Sequence, residues 1–241
     1  MRLAILSDIH GNLEAFESVR ADIRLQGTDG VICLGDMIGY GPDPEDVIQG
    51  VRDLQCRTVL GNHEASLFSG KARSRMNFQA RENSIRMEHL ISEKSLAYCR
   101  NLPSFLHSGE AWYVHGYPPD SVFIYLFNQS DQKIADLFDT DQASLYFVGH
   151  THDLRMATRH LGEVYRSSLT KGRIRLEKNN KYIINVGSVG QPRDGSNQAK
   201  YVIWDDETRD LEIRFIPYDI SKTVQKIHAR GFPAIYAERL V

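Results

Sequence analysis

The chain has 241 residues, about 1.6 domains at roughly 150 residues each, so one large domain or one domain carrying a cap is expected. Its 41% hydrophobic and 25% charged residues exclude a mainly disordered chain, and 29 Lys plus Arg against 31 Asp plus Glu leave no overall field to draw nucleic acid or an anionic membrane. Cys33, Cys56 and Cys99 stand far apart without a Cys-x-x-Cys, which fits neither a disulfide framework nor a thiolate metal site and points to a reducing, cytoplasmic setting.

The N-terminus shows no signal-peptide layout and runs straight into a strand-like stretch at 2–6. The longest apolar run, 122–127, is far too short to cross a bilayer, so a soluble protein without a membrane partner is expected. Short apolar runs then recur, and each ends in glycine or in a residue able to bind a ligand. Residues 3–6 lead into Ser7-Asp8-Ile9-His10, 31–34 into Gly35-Asp36, and 58–60 into Gly61-Asn62-His63-Glu64. Residues 111–114 lead into His115-Gly116, and 145–148 into Gly149-His150-Thr151-His152. Continuous apolar runs of this length suit strands covered on both faces, and open α/β sheets place their sites beyond the strand ends.

Between the first strands, Asn12 can cap a helix carrying Leu13, Phe16, Val19 and Ile23, and Asp43-Pro44-Glu45-Asp46 starts another carrying Val47, Val51 and Leu54. The first third therefore reads βαβαβ. Residues 64–103 show only helical spacing, in Met87, Leu90, Ile91, Tyr98 and Leu102, and are expected to form a helical cap within a single domain spanning 1–241. Beyond His152 the pattern turns to short alternating strands at 173–176, 182–186, 201–204 and 211–216. Asn179-Asn180, Asp194-Gly195 and Asp205-Asp206, which join them, read as meander or hairpin turns. A last helix is expected from a cap at Ser221 to Gly231.

The strand ends carry the chemistry. In an extended chain, side chains two apart project to one side, so Asp8 with His10, and His150 with His152, each read as a two-pronged pair. Asp36, Asn62 and His115 complete a set of seven nitrogen and oxygen donors. That exceeds the need of one tetrahedral zinc and matches two metals sharing a carboxylate. The imidazoles favour manganese, iron, zinc, cobalt or nickel over purely oxygen-bound magnesium or calcium. Two divalent ions less two aspartates and a hydroxide leave about one positive charge, which welcomes a phosphate oxygen. His63, beside Asn62, remains free to protonate a leaving oxygen or stabilise charge on the phosphoryl group.

These ordered motifs, Asp8-Ile9-His10, Gly35-Asp36, Gly61-Asn62-His63, His115 and Gly149-His150-Thr151-His152, resemble the calcineurin-like metallophosphoesterase superfamily. They are most similar to its small stand-alone bacterial and archaeal phosphodiesterases, including those resembling diadenosine-tetraphosphate hydrolases. The loop at 185–195 also resembles that subgroup. The resemblance implies two packed mixed sheets flanked by helices, in α-β-β-α layers. It places one metal on Asp8, His10, Asp36 and His152, the other on Asp36, Asn62, His115 and His150, with Asp36 bridging and His63 catalytic. Many members carry Asp where this chain has Glu64.

The expected activity is therefore hydrolysis of a phosphodiester, phosphomonoester or nucleotide phosphoanhydride, by a hydroxide held between two metals with His63 assisting. A serine/threonine phosphoprotein phosphatase is the alternative, and a scaffold of the same fold ranks last because every motif residue is present. The expected partner is a small phosphorylated or nucleotide substrate, with no nucleic acid; self-association is left open. Arg193 could grip substrate phosphate, and Tyr40, between Gly39 and Gly41, could wall the site or stack on a base. The segment 155–181 holds eight Lys or Arg against Glu163 and Glu177. Charged edge strands that resist aggregation explain it better than a polyanion surface.

Overall fold

The structure is a computed structural model and describes residues 1–141 and 143–241. Its first third follows the sequence reading. Strand β1 is Arg2–Leu6, helix α1 Leu13–Gln26, β2 Gly30–Cys33, α2 Pro44–Asp53 and β3 Arg57–Thr58. The Asn12 side chain caps α1 by accepting from the Ala15 amide at 3.1 Å, and Phe16, Val19 and Ile23 lie on its buried face. Asp43 opens α2 but does not cap it; its carboxylate instead receives Lys226 at 2.7 Å and Arg230 at 2.9 Å.

The segment expected to be helical carries α3 (Asn62–Phe68), α4 (Gly70–Ser74), α5 (Phe78–Glu88) and α6 (Glu93–Arg100). There follow β4 (Phe105–Ser108), β5 (Ala111–Val114), a 3-10 turn at Leu126–Asn128, α7 (Asp131–Thr140) and β6 (Leu145–Val148). The second half holds β7 (Arg155–His160), β8 (Glu163–Ser168), β9 (Gly172–Arg175), β10 (Lys181–Asn185), β11 (Ala199–Asp205) and β12 (Asp210–Ile216). Helices α8 (Ile220–Ala229) and α9 (Ala234–Glu238) close it.

These strands form two mixed six-stranded sheets, ordered β3-β2-β1-β11-β12-β9 and β4-β5-β6-β10-β7-β8. Alternation along each strand builds the layers. In β1, Leu3 and Ile5 face the second sheet while Ala4 and Leu6 meet the helices; in β6, Leu145 and Phe147 face the first sheet while Tyr146 and Val148 pack under Ile134 and Phe138 of α7. Each such fully buried aliphatic or aromatic side chain contributes about 1.5–3 kcal/mol. The result is the expected α-β-β-α arrangement. Among the described residues, no helix is long and apolar enough to cross a membrane.

Two local readings change. Asn179-Asn180 and Asp194-Gly195 are not hairpin turns, because β9 and β11 lie in the first sheet and β10 in the second. Both are crossings between layers, and only Asp205-Asp206 opens a hairpin, that of β11 and β12. Ser221 is not the cap of the last long helix. Asp219 caps α8 by accepting from the Lys222 amide at 3.0 Å, and the Ser221 hydroxyl donates to Asp219 at 2.7 Å.

In both sheets the parallel strands end at one edge. β1, β2 and β3 run parallel in the first sheet, and β5, β6 and β10 run parallel in the second. The loops that follow them meet between the layers, and these carry the donor residues.

Candidate metal centre

The seven donors come together from four loops and one helix start. Asp8 and His10 follow β1, Asp36 follows β2, Asn62 opens α3, His115 follows β5, and His150 and His152 follow β6. All seven are buried. The chain around them is not extended, contrary to the two-apart reading. Asp8 (φ 55°), His10 (φ 51°), Asp36 (φ 51°), His150 (φ 69°) and His152 (φ 60°) are five of the eight non-glycine residues with left-handed backbone among the described residues. That conformation costs each roughly 1 kcal/mol or more, and such strain collects where a site over-determines its geometry.

The turns sort the donors into two groups. Asp8 Oδ1 lies 3.3 Å from His152 Nε2 and 3.6 Å from His10 Nε2, and those two nitrogens are 2.9 Å apart. In the second group, His115 Nε2 lies 3.0 Å from Asn62 Oδ1, 3.2 Å from Asp36 Oδ2 and 3.2 Å from His150 Nδ1. Asp36 Oδ2 is also 3.8 Å from His10 Nε2, so one carboxylate oxygen faces both groups. His150 and His152 therefore do not act as one pair: each joins a different group.

The remaining ring nitrogens fix the proton positions. His10 Nδ1 faces the Ile38 carbonyl at 2.9 Å, His115 Nδ1 that of Leu34 at 2.7 Å, His152 Nδ1 that of Gln191 at 2.7 Å, and His150 Nε2 that of Phe123 at 3.3 Å. A carbonyl only accepts, so each of these nitrogens carries the proton and the opposite one turns a lone pair inward. Pairs of lone pairs about 3 Å apart, beside carboxylate oxygens, repel unless a cation sits among them. Asp8 Oδ1, buried and without a hydrogen-bond partner among the described residues, has the same need. The donor set thus fits divalent metal ions.

The electrostatics agree. Burial alone would raise Asp8 and Asp36, but the imidazoles around them, His152 and His115 foremost, hold both carboxyls below their ordinary range. Burial lowers His150 to about 3 and His152 to about 4, whereas at His115 the charge of Asp36 outweighs burial and raises the ring to about 9.

His63 sits beside this cluster. Its amide donates to Asp36 Oδ1 at 2.9 Å, and its ring stands edge-on to His10 and Tyr40 at 4.8 and 5.0 Å. Burial lowers its pKa to about 3, so the ring is neutral at pH 7. Glu64 has a different task from supporting that ring. Its carboxylate accepts from the amides of Asp36 (2.9 Å), Gly61 (3.1 Å) and Ile38 (3.2 Å), tying the strand ends of β2 and β3 together. Burial, then the charge of Asp36, raises it to about 7. Gly61 permits that closure, since a Cβ there would stand 2.2 Å from Asp36 Oδ1.

The comparisons decide the family. The profile of the calcineurin-like phosphoesterase superfamily domain matches residues 1–209. The chain belongs to that superfamily. An uncharacterised protein of Methanocaldococcus jannaschii is 34% identical to this phosphoesterase, over 99% of this chain and 96% of its own. A metallophosphoesterase from Sphaerobacter thermophilus has 31% identity and a TM-score of 0.84, covering 100% of this chain and 98% of that one. A hypothetical protein of Pyrococcus horikoshii shares the fold, with a TM-score of 0.79, 16% identity and coverage of 99% and 97%. Superfamily membership with a buried Asp/His cluster makes the chain a metal-binding hydrolase of the phosphoesterase type.

Around the cluster, this phosphoesterase has a cleft of about 270 Å³. Tyr40 and Arg193 both line it. Tyr40 is a wall: its ring packs on His10 at 4.6 Å and Tyr236 at 5.1 Å, and the Arg193 guanidinium lies 5.7 Å from its centre. Arg193 is exposed, and its amide donates to the His152 carbonyl at 3.0 Å. Sequence reasoning passed over Arg75, Asn77, Phe123 and Tyr125, which also line the cleft. The apolar run at 122–127 was a signal, because its carbonyl at Phe123 holds His150 and its Tyr125 ring stacks on His150 at 3.9 Å.

Most of the basic stretch of β7 to β10 is paired within the chain. Arg155, Arg159, Arg166, Arg173 and Arg175 pair with Asp153, Asp139, Asp131, Glu212 and Asp210, and Lys181 donates to the carbonyls of Phe138 and Asp141. His107 and His160 lie elsewhere, against Trp112 and Asn180.

Proposed function

We propose that this chain is a two-metal phosphohydrolase of small phosphorylated compounds, cleaving a phosphodiester, phosphomonoester or nucleotide phosphoanhydride bond. Asp8, His10, Asp36 and His152 would hold one divalent transition metal, and Asp36, Asn62, His115 and His150 the other. The observation that carries this reading is the pair of inward lone-pair groups that share Asp36 Oδ2. Divalent metals bound there supply Lewis acidity toward phosphoryl oxygens and activate water as the nucleophile.

The protein's own residues do the rest. The carbonyls of Leu34, Ile38, Phe123 and Gln191 each take the outer ring N–H of one imidazole and aim its other nitrogen inward. Glu64 fixes the Asp36 backbone from behind. His63, neutral and buried, offers a ring N–H to the phosphoryl or leaving oxygen; an arriving phosphate anion favours a proton on that ring and lets it serve as the acid. The chain acts as one domain, and residues 64–103 are the cap that selects the substrate. That cap closes the cleft to about 270 Å³, room for a small phosphorylated compound better than for a folded phosphoprotein.

The test is turnover of bis(p-nitrophenyl) phosphate by protein loaded with manganese, alongside metal analysis. Two metals per chain and turnover that vanishes with a chelator are expected. One metal per fully active chain would overturn the two-metal reading, and no turnover of any phosphate ester in the metal-loaded protein would overturn the activity.

A further inference from the structure

Resting on that reading, the cleft also indicates which feature of the substrate is recognised. Two guanidinium groups line it, Arg75 and Arg193, and both are exposed. Neither has a carboxylate partner among the described residues, whereas Arg73, two residues from Arg75, is bonded to Glu88. Arg75, just after α4, lies over the Phe123 ring at 4.7 Å, and Phe123 belongs to the loop whose carbonyl holds His150. Arg193 lies against Tyr40, and its amide is bound to the carbonyl of His152. One guanidinium thus flanks the side of the cluster at His150, the other the side at His152. A single scissile phosphate would already be met by the metals that the cluster is proposed to hold and by His63, so two further cations without a carboxylate partner exceed what it needs.

The aromatic residues of the cleft have little ring face to give. Tyr125 is stacked between His150 at 3.9 Å and Phe127 at 5.0 Å. Tyr40 is buried against His10, His63 and Tyr236, with Arg193 over it. Arg75 covers a face of Phe123. A nucleobase entering this cleft finds little free ring face on these residues, whereas a chain of phosphates finds two guanidinium groups able to bind it bidentately.

We infer that Arg75 and Arg193 recognise a phosphoryl group beyond the scissile one, so that the preferred substrates are compounds with two or more linked phosphates, read by charge and not by base. Arg75 thereby gives the helical segment its part in choosing the substrate.

The experiment is equilibrium binding by titration calorimetry, with the protein and excess manganese. The titrants are orthophosphate, tripolyphosphate and the four common ribonucleoside triphosphates. Tripolyphosphate should bind at least about tenfold more tightly than orthophosphate, and the four nucleotides should fall within about threefold of one another. In Arg75→Ala the preference for tripolyphosphate should drop by about tenfold or more, with partial recovery in Arg75→Lys; Arg193→Ala should act in the same direction. Arg173→Ala, a surface pair on β9, is the control and should leave the preference unchanged. Equal binding of orthophosphate and tripolyphosphate by the unaltered protein, tenfold or greater discrimination among bases, or an unchanged preference in Arg75→Ala would each overturn the inference. Because the readout is binding, an absence of turnover would sink the proposed hydrolysis without being mistaken for failure here.

Discussion

The two sides of the cleft are built on different principles. The inner wall comes from strand ends: its donors are buried, five of them hold left-handed backbone, and each imidazole is locked by a carbonyl. The rim comes from the helical segment and two long loops, and its Arg75, Asn77 and Arg193 are exposed. A wall of this kind has paid its strain and ordering cost during folding, so its donors need not reorganise when charge develops. The rim keeps side-chain freedom and can follow substrates of different length. Changes in the wall should therefore strike metal content and turnover, and changes in the rim should strike binding.

The sharpest way to break that division is Asp36→Asn. Its Oδ2 faces both donor groups, so this change should remove both metals together and lower kcat/KM by roughly 10³-fold or more. Metal analysis that finds either ion fully retained would show that the two groups do not depend on one carboxylate. His63→Ala is the complementary case within the wall. It should keep both metals and lose about 10²- to 10⁴-fold in kcat, and turnover equal to the unaltered protein would remove His63 from the chemistry.

Glu64→Ala tests how rigidly the wall is held. It strips the buried amides of Asp36, Ile38 and Gly61 of their acceptor, at about 1–3 kcal/mol for each unpaired group. A loss of about 3 kcal/mol in urea unfolding and a 10- to 100-fold weaker metal affinity are expected. Unchanged unfolding would mean that the strand ends hold their shape without this carboxylate.

The same contrast explains what could be read in the sequence. The wall was legible because strands buried on both faces give continuous apolar runs, and each run stopped at its ligand. The α1 cap at Asn12 and the start of α2 at Pro44 follow local rules that operate within a few residues. What escaped the sequence depends on distant partners. β8, nearly all exposed, gives no alternation, and its Arg166 finds Asp131 thirty-five residues away. The crossings at Asn179-Asn180 and Asp194-Gly195 have hairpin chemistry, but β9 and β11 are claimed by the first sheet. Helix α7 did carry a readable signal, the Ser130 cap with Ile134 and Phe138 one turn apart. Arg75 had none: only its unpaired place in the cleft distinguishes it from its neighbour Arg73. The split of His150 from His152 followed from the resemblance but not from the two-apart spacing, because both residues hold left-handed backbone where an extended chain was expected.

The smallest expected effect lies away from the cleft, where α1 meets α8, and it separates structural charge from functional charge. Glu14 is buried and accepts from Lys226 at 2.6 Å and from Thr223 at 3.1 Å. Burial raises its pKa, but Lys226 and Thr223 outweigh that, and the net shift is downward. A folded carboxyl held below its unfolded value, about 4.3 for glutamate, stabilises the protein fully above that range and progressively less as pH falls through it. Glu14→Gln should therefore cost about 1 kcal/mol at pH 7 in the metal-free protein, and the gap should close as pH falls to about 3. Urea midpoints of the two proteins at both pH values measure it. A gap that persists in acid would mean that the side chain acts through packing and not through its charge. Turnover of the metal-loaded variant at pH 7 should match the unaltered protein, since this pair touches neither the wall nor the rim.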